Sequence, residues 1–106
     1  MKHLVLGSEG QIGYELCRYL RQNKEGVLTF DIAANSEEDL RIKKNNNLLK
    51  LIESSDFVYF LAFDVGGSRY LKTYQHTAEF LSNNIRLMEN TFNLLRKYKK
   101  PFIFAS

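Results

Sequence analysis

Cysteine is nearly missing from this chain: Cys17 stands alone among 106 residues. No intramolecular disulfide can form, and no Cys-x-x-Cys or Cys/His cluster exists to hold zinc. A reducing compartment, the cytoplasm, is the expected setting. Proline occurs once, at Pro101, and tryptophan not at all. With 44% hydrophobic and 25% charged residues, the composition is that of an ordinary globular protein and not of a disordered one. Long apolar runs are missing too. The start, Met1-Lys2-His3-Leu4-Val5-Leu6, reaches Ser8 and Glu9 after a four-residue run, Leu4 to Gly7, too short for a signal peptide or a membrane span.

The length fits one domain with a core of modest size. Net charge is +3, with basic residues gathered at Arg41, Lys43 and Lys44 and again at Arg96, Lys97, Lys99 and Lys100. Twelve acids dilute any continuous basic face, and such clusters complement helix ends. Neither nucleic acid nor a membrane is the expected partner.

The apolar pattern alternates between two periods. Leu4 to Leu6 reads as a strand buried on both faces. Ile12, Leu16 and Leu20, with Cys17 beside them, then recur at helical spacing from Gln11 to about Gln22. Val27 to Phe30 forms a second strand closing on Asp31, and a third strand is expected around Leu40, where Leu40 and Ile42 are the only apolar anchors. Leu48, Leu49, Leu51 and Ile52 mark a short helix. Phe57 to Ala62 is the strongest strand in the chain. A long helix follows from about Thr77 to Tyr98, stopped by Lys99-Lys100-Pro101, before a last strand at Phe102 to Ala105. Such alternation predicts an α/β fold, a Rossmann-like doubly wound parallel sheet of about five strands in the order 3-2-1-4-5, built as one domain over 1–106.

Between the first strand and the first helix lies Gly7-Ser8-Glu9-Gly10-Gln11-Ile12-Gly13. A pyrophosphate needs backbone N–H donors at close range, and a helix N-terminus supplies them together with its partial positive charge. Gly7 allows the tight turn, Gly10 lets the backbone approach the phosphates, and Gly13 lets the helix pack on the sheet. The spacing is G-x-x-G-x-x-G, which gains its meaning from its place between a buried strand and an amphipathic helix. Asp31, 18 residues after Gly13 at the tip of strand two, can accept hydrogen bonds from ribose hydroxyls, and its charge opposes a 2′-phosphate. The expected cofactor is therefore NAD, not NADP. A turn or capping role for Asp31 is the competing reading.

These residues resemble the extended short-chain dehydrogenase/reductases, the sugar-nucleotide epimerases and dehydratases, along nearly the whole chain. Asp39-Leu40-Arg41 looks like the family's acid-plus-aliphatic pair that touches adenine. Leu61-Ala62-Phe63 looks like its Leu-Ala-Ala after strand four, with Phe63 in place of the usual small residue. Leu61 to Gly67, with its paired Gly66-Gly67, is most similar to GDP-mannose 3,5-epimerases. Asn83 falls where the family has a residue near the cofactor. The resemblance implies a cofactor-binding set of Gly7, Gly10, Gln11, Ile12, Gly13, Asp31, Ile32, Asp39, Leu40, Leu61, Ala62, Phe63 and Asn83, and a nucleotide-sugar as substrate.

The family's mechanism uses a Tyr whose pKa is lowered by a Lys four residues on. Here Tyr14, Tyr19, Tyr59, Tyr70, Tyr74 and Tyr98 are followed four places later by Arg18, Asn23, Phe63, Tyr74, Ala78 and Phe102. Ser106, where the family's serines begin, has neither base nor partner. No catalytic residue is assigned, and the chain is expected to be the truncated NAD-binding half of such an enzyme, without its sugar-binding domain. Two alternatives stand beside this reading: an enzyme completed in trans or by oligomerisation, and a non-catalytic module that senses NAD or acts as a scaffold. The long helix carries more apolar residues than one sheet face requires, and the last strand leaves an open edge. A homodimer or higher oligomer through the 77–98 helix or that edge is expected.

Overall fold

The computed structural model describes residues 1–62 and 77–105. Four strands and three helices alternate along it: β1 (Lys2–Leu6), α1 (Gln11–Gln22), β2 (Gly26–Phe30), α2 (Asn46–Ser54), β3 (Phe57–Phe60), α3 (Ala78–Tyr98) and β4 (Phe102–Phe104). The strands are all parallel and lie in the order β2-β1-β3-β4. Leu6 stands opposite Phe30 on one side and Phe60 on the other, so three strand ends meet at one level.

Successive β1 side chains point to opposite faces, and each face is closed by different helices. Leu4 and Leu6 share a core with Phe30, Val58 and Phe60, with Leu48 and Ile52 of α2, and with Leu87 and Leu95 of α3. Val5 packs with Cys17 and Leu20 of α1 on the other face. The chain thus leaves β1 towards β2 over one face and returns to β3 over the other. That reversal makes a topological switch point at the carboxyl ends of β1 and β3, the place where open α/β sheets bind ligands.

The expected five-strand order 3-2-1-4-5 is corrected by one strand. Among the described residues the sheet has four, and no strand forms around Leu40. The physical reason lies in the polar side chains between Asp31 and Asn45. The Asp31 carboxylate accepts the Ala33 amide at 2.8 Å, the Asn35 side chain accepts the Glu37 amide at 3.0 Å, and the Asp39 carboxylate accepts the Arg41 amide at 2.9 Å. Each such bond curls the chain two residues on and removes an amide that a ladder would use. Leu40 is still buried, held from α3 by the Asn90 side-chain amide, which donates to its carbonyl at 2.8 Å. Ile42 is exposed.

The helical stripes also shift. In α1 the buried residues are Gly13, Cys17 and Leu20, while Ile12 is 68% exposed, so the stripe starts at a glycine one place later than the apolar pattern predicts. Helix α3 starts at its Thr77 cap, whose hydroxyl accepts the Phe80 amide, and ends at Lys99 in the left-handed conformation. Arg96 and Lys97 stand in its last turn, where cations complement the helix dipole. No described helix is long and apolar enough to cross a membrane.

Candidate functional site

The turn leaving β1 is held by contacts that only glycine permits. Gly7 has φ +92° and donates its amide to the Phe30 carbonyl at 2.9 Å. A Cβ there would stand 3.0 Å from the main chain of Leu61 and Ala62, because β3 ends directly alongside. A Cβ at Gly13 would lie 2.1 Å from the Gly7 carbonyl oxygen, which no side chain can occupy. Gly10 differs: its Cβ would meet only that same oxygen, at 3.3 Å. The first two glycines therefore serve packing, whereas Gly10 is exposed and chiefly keeps the outer side of the loop clear.

Gly10 is also the N-cap of α1, with no side chain capping the helix and no acid in its first turn. The Tyr14 amide donates to the Gly10 carbonyl, but the amides of Gln11, Ile12 and Gly13 have no acceptor among the described residues. Three N–H groups and the positive end of the helix dipole are thus left for an anion. This arrangement fits a dinucleotide pyrophosphate: free donors, no competing carboxylate in the first turn, and space that a side chain at Gly10 would fill.

Asp31 follows β2 immediately, and its carboxylate is held from two directions. One oxygen accepts the Glu9 amide at 2.8 Å and the other accepts the Ala33 amide at 2.8 Å. The carboxylate therefore holds its own turn and ties the glycine loop to the tip of β2, while each oxygen keeps a second lone pair. Ile32 is exposed beside it, as Ile12 is beside the loop. Neither apolar side chain enters the core.

Asp39 is engaged by Arg41, whose guanidinium Nε and Nη2 donate to its two oxygens at 2.9 and 2.8 Å. Those Arg41 side-chain bonds hold the Asp39 carboxyl below its ordinary range; burial opposes the shift and the Arg41 amide reinforces it. Leu40, next to it, is committed to the core with Leu48 and Leu87. Leu61 and Ala62 are half-buried at the end of β3, and the Leu61 amide donates to the Leu6 carbonyl at 3.0 Å, which joins them to the start of the glycine loop. Asn83 is half-buried in the second turn of α3. Phe63, the 64–67 stretch, Tyr70, Tyr74 and Ser106 lie outside the described residues.

The structure thus brings together Gly7, Gly10, Gln11, Ile12, Gly13, Asp31, Ile32, Leu61 and Ala62 at one end of the sheet. Two side chains that sequence patterning does not single out take part in building this end. Glu38 accepts the Asp31 amide at 3.3 Å. Asn45 caps α2 through the Leu48 amide and donates back to the carbonyls of Glu37 and Asp39. Neither stands at a spacing that belongs to a motif. Asn45, just before the apolar residues of α2, carries the ordinary signature of a helix cap, which could have marked it. Among the described residues no three His, Cys, Asp or Glu side chains gather as a metal site.

The NAD dependent epimerase/dehydratase family model matches residues 3–106. No curated protein matches the chain significantly in sequence. Among solved structures the fold is similar to UDP-glucose 4-epimerase from Stenotrophomonas maltophila, crystallised with NAD and formylated UDP-arabinopyranose, at 20% identity and a TM-score of 0.76. It is similar also to the Thermus thermophilus UDP-glucose 4-epimerase complex with NAD, at 21% identity and 0.77. Both alignments cover 100% of this chain and 37% of the other. A dTDP-4-dehydrorhamnose reductase from Clostridium acetobutylicum is similar at 17% identity and a TM-score of 0.69, over 96% of this chain and 34% of that one. The chain spans little more than a third of the length of these proteins, and at such identities the likeness is one of fold. With the family model matched over residues 3–106, the chain belongs to the NAD-dependent epimerase/dehydratase family.

Proposed function

We propose that this chain is the NAD-binding unit of a nucleotide-sugar epimerase or dehydratase. The observation that carries the reading is the row of free amides at Gln11, Ile12 and Gly13, opened by Gly10 and placed beside the Asp31 carboxylate. In this reading the pyrophosphate lies on those amides, the adenosine ribose hydroxyls donate to Asp31, and Ile12 and Ile32 border the nucleotide. Leu61 and Ala62, with Asn83, follow the cofactor towards its nicotinamide end, and Asp39 and Leu40 stand on the adenine side. NAD, when bound, supplies a hydride acceptor; this chain's residues bind and orient it.

The NAD and nucleotide-sugar named for the similar structures support the same reading. The stretch from Leu61 to Gly67 supports a likeness to GDP-mannose 3,5-epimerases within the family. Since no Tyr-x-x-x-Lys occurs in these 106 residues, the reading assigns proton abstraction and the sugar subsite to polypeptide outside them. Association of copies is part of the reading: Leu81 and Ile85, one turn apart on α3, are 52% and 58% exposed, and all three β4 residues are exposed.

Isothermal titration with NAD and NADH tests the proposal. Saturable binding is expected for the natural chain. Gly10→Ala places its methyl 3.3 Å from the Gly7 oxygen, lowers stability by less than about 1 kcal/mol, and removes at least about tenfold in affinity by obstructing the phosphates. Absence of saturation at millimolar cofactor, or unchanged affinity in the folded variant, overturns it.

A further inference from the structure

Sheet geometry places one carboxylate where the cofactor reading alone would not look. The Phe30 carbonyl faces β1, because it accepts the Gly7 amide. Backbone groups alternate along a strand, so the Asp31 amide faces the opposite way, to the outer edge of β2. The Glu38 carboxylate accepts it there at 3.3 Å. The intervening turn delivers that side chain: the amides of Ala34 and Asn35 donate to the Asp31 carbonyl, and the Glu38 amide donates to the Asn35 carbonyl.

Glu38 has no cation at ion-pair distance among the described residues, and the nearby guanidinium of Arg41 is engaged by Asp39. Its charge therefore adds to that of Asp31 at the same strand tip. A group that meets both is exposed to two uncompensated carboxylates. A ribose hydroxyl is neutral and can donate to them, whereas a 2′-phosphate carries about 1.5 to 2 negative charges and cannot.

We propose that Glu38 is a second specificity-determining residue for the dinucleotide, fixing the Asp31 main chain and adding negative charge that excludes a 2′-phosphate. This rests on the NAD-binding reading above. Across about 7 Å of solvent, with a dielectric close to that of bulk water, one further carboxylate weakens binding of a doubly charged group by roughly 3- to 10-fold. Such an effect is screened by salt.

The test compares dissociation constants for NAD and NADP, by titration calorimetry, in the natural chain, Glu38→Gln and Glu38→Ala. Glu38→Gln keeps an oxygen for the Asp31 amide and removes the charge. Its NADP-to-NAD ratio of dissociation constants is expected to fall by roughly 3- to 10-fold at low salt, and by less when salt is raised. Glu38→Ala, which also frees the strand tip, weakens NAD as well. A merely structural Glu38 would move both constants alike, so an unchanged ratio in Glu38→Gln overturns the inference. Should the natural chain bind neither dinucleotide, the NAD-binding reading fails and this inference with it; NAD binding with an unchanged ratio sinks only the role of Glu38.

Discussion

The turn leaving β1 and the turn leaving β2 end at the same level of the sheet but are built by different physics. The first is shaped by exclusion: Gly7 and Gly13 sit where any Cβ would strike backbone. The second is shaped by attraction, through Asp31, Asn35, Asp39 and Asn45, whose side chains gather the amides and carbonyls of their neighbours. Exclusion tolerates almost no substitution, whereas a set of separate hydrogen bonds loses its members one at a time. The Glu9 amide joins the two turns by its bond to Asp31, next to the bond from the Gly7 amide to the Phe30 carbonyl.

The largest expected effect falls on the first turn. Gly13→Ala puts a methyl 2.1 Å from the Gly7 oxygen and 2.9 Å from its carbon, both backbone atoms that cannot rotate away. Helix α1 must move off β1, breaking the cluster of Val5, Cys17 and Leu20. A cost of at least about 3 kcal/mol is expected, which lowers the melting temperature by more than about 12 °C. Circular dichroism on heating measures it. A loss under about 1 kcal/mol would mean that the loop yields easily, and the contrast between the turns would collapse.

The same contrast separates what the order of amino acids makes legible from what it hides. Glycines three apart between an apolar strand and an amphipathic stripe have a steric meaning at each position, so the loop, α1 and the acid at the end of β2 are all legible. Short, wholly apolar runs make β1 and β3 plain: burial on both faces leaves few alternatives. The stretch from Ala33 to Asn45 is not legible, because Asp and Asn serve caps, turns and surfaces equally well and their partners are settled only by the fold. The expected third strand rests on Leu40, whose burial is real but is achieved by a turn and a bond from Asn90, 50 residues away. Ile12 shows the converse error: its spacing fits the stripe, yet Gly13 takes the buried place because the backbone comes too close for anything larger.

A smaller loss is expected at Asn45. Asn45→Ala removes the cap of α2 and the donors to Glu37 and Asp39 together, for about 1 to 2 kcal/mol. Asn45→Asp retains an oxygen for the Leu48 amide but no donor, and should recover about half of that. Denaturant unfolding of the three proteins separates the terms. If Asn45→Ala cost as much as Gly13→Ala, the second turn would be as intolerant as the first, and the distinction drawn between exclusion and attraction would be wrong.

The smallest effect concerns Asp39 and depends on pH. The side-chain bonds from Arg41 hold the Asp39 carboxyl below its ordinary value of 3.8, with burial opposing them. A carboxylate whose pKa is lower in the folded than in the unfolded state stabilises the fold above the unfolded value, and that contribution is lost as pH falls through the folded one. The margin between the natural protein and Asp39→Asn should therefore be full near neutrality, shrink below about pH 4, and narrow in high salt because Arg41 is partly exposed. Melting temperatures of the two proteins at neutral and acid pH measure it. A margin that stayed constant or widened on acidification would show that Asp39 holds its turn as a neutral acceptor of the Arg41 amide, and that charge adds nothing to this part of the second turn.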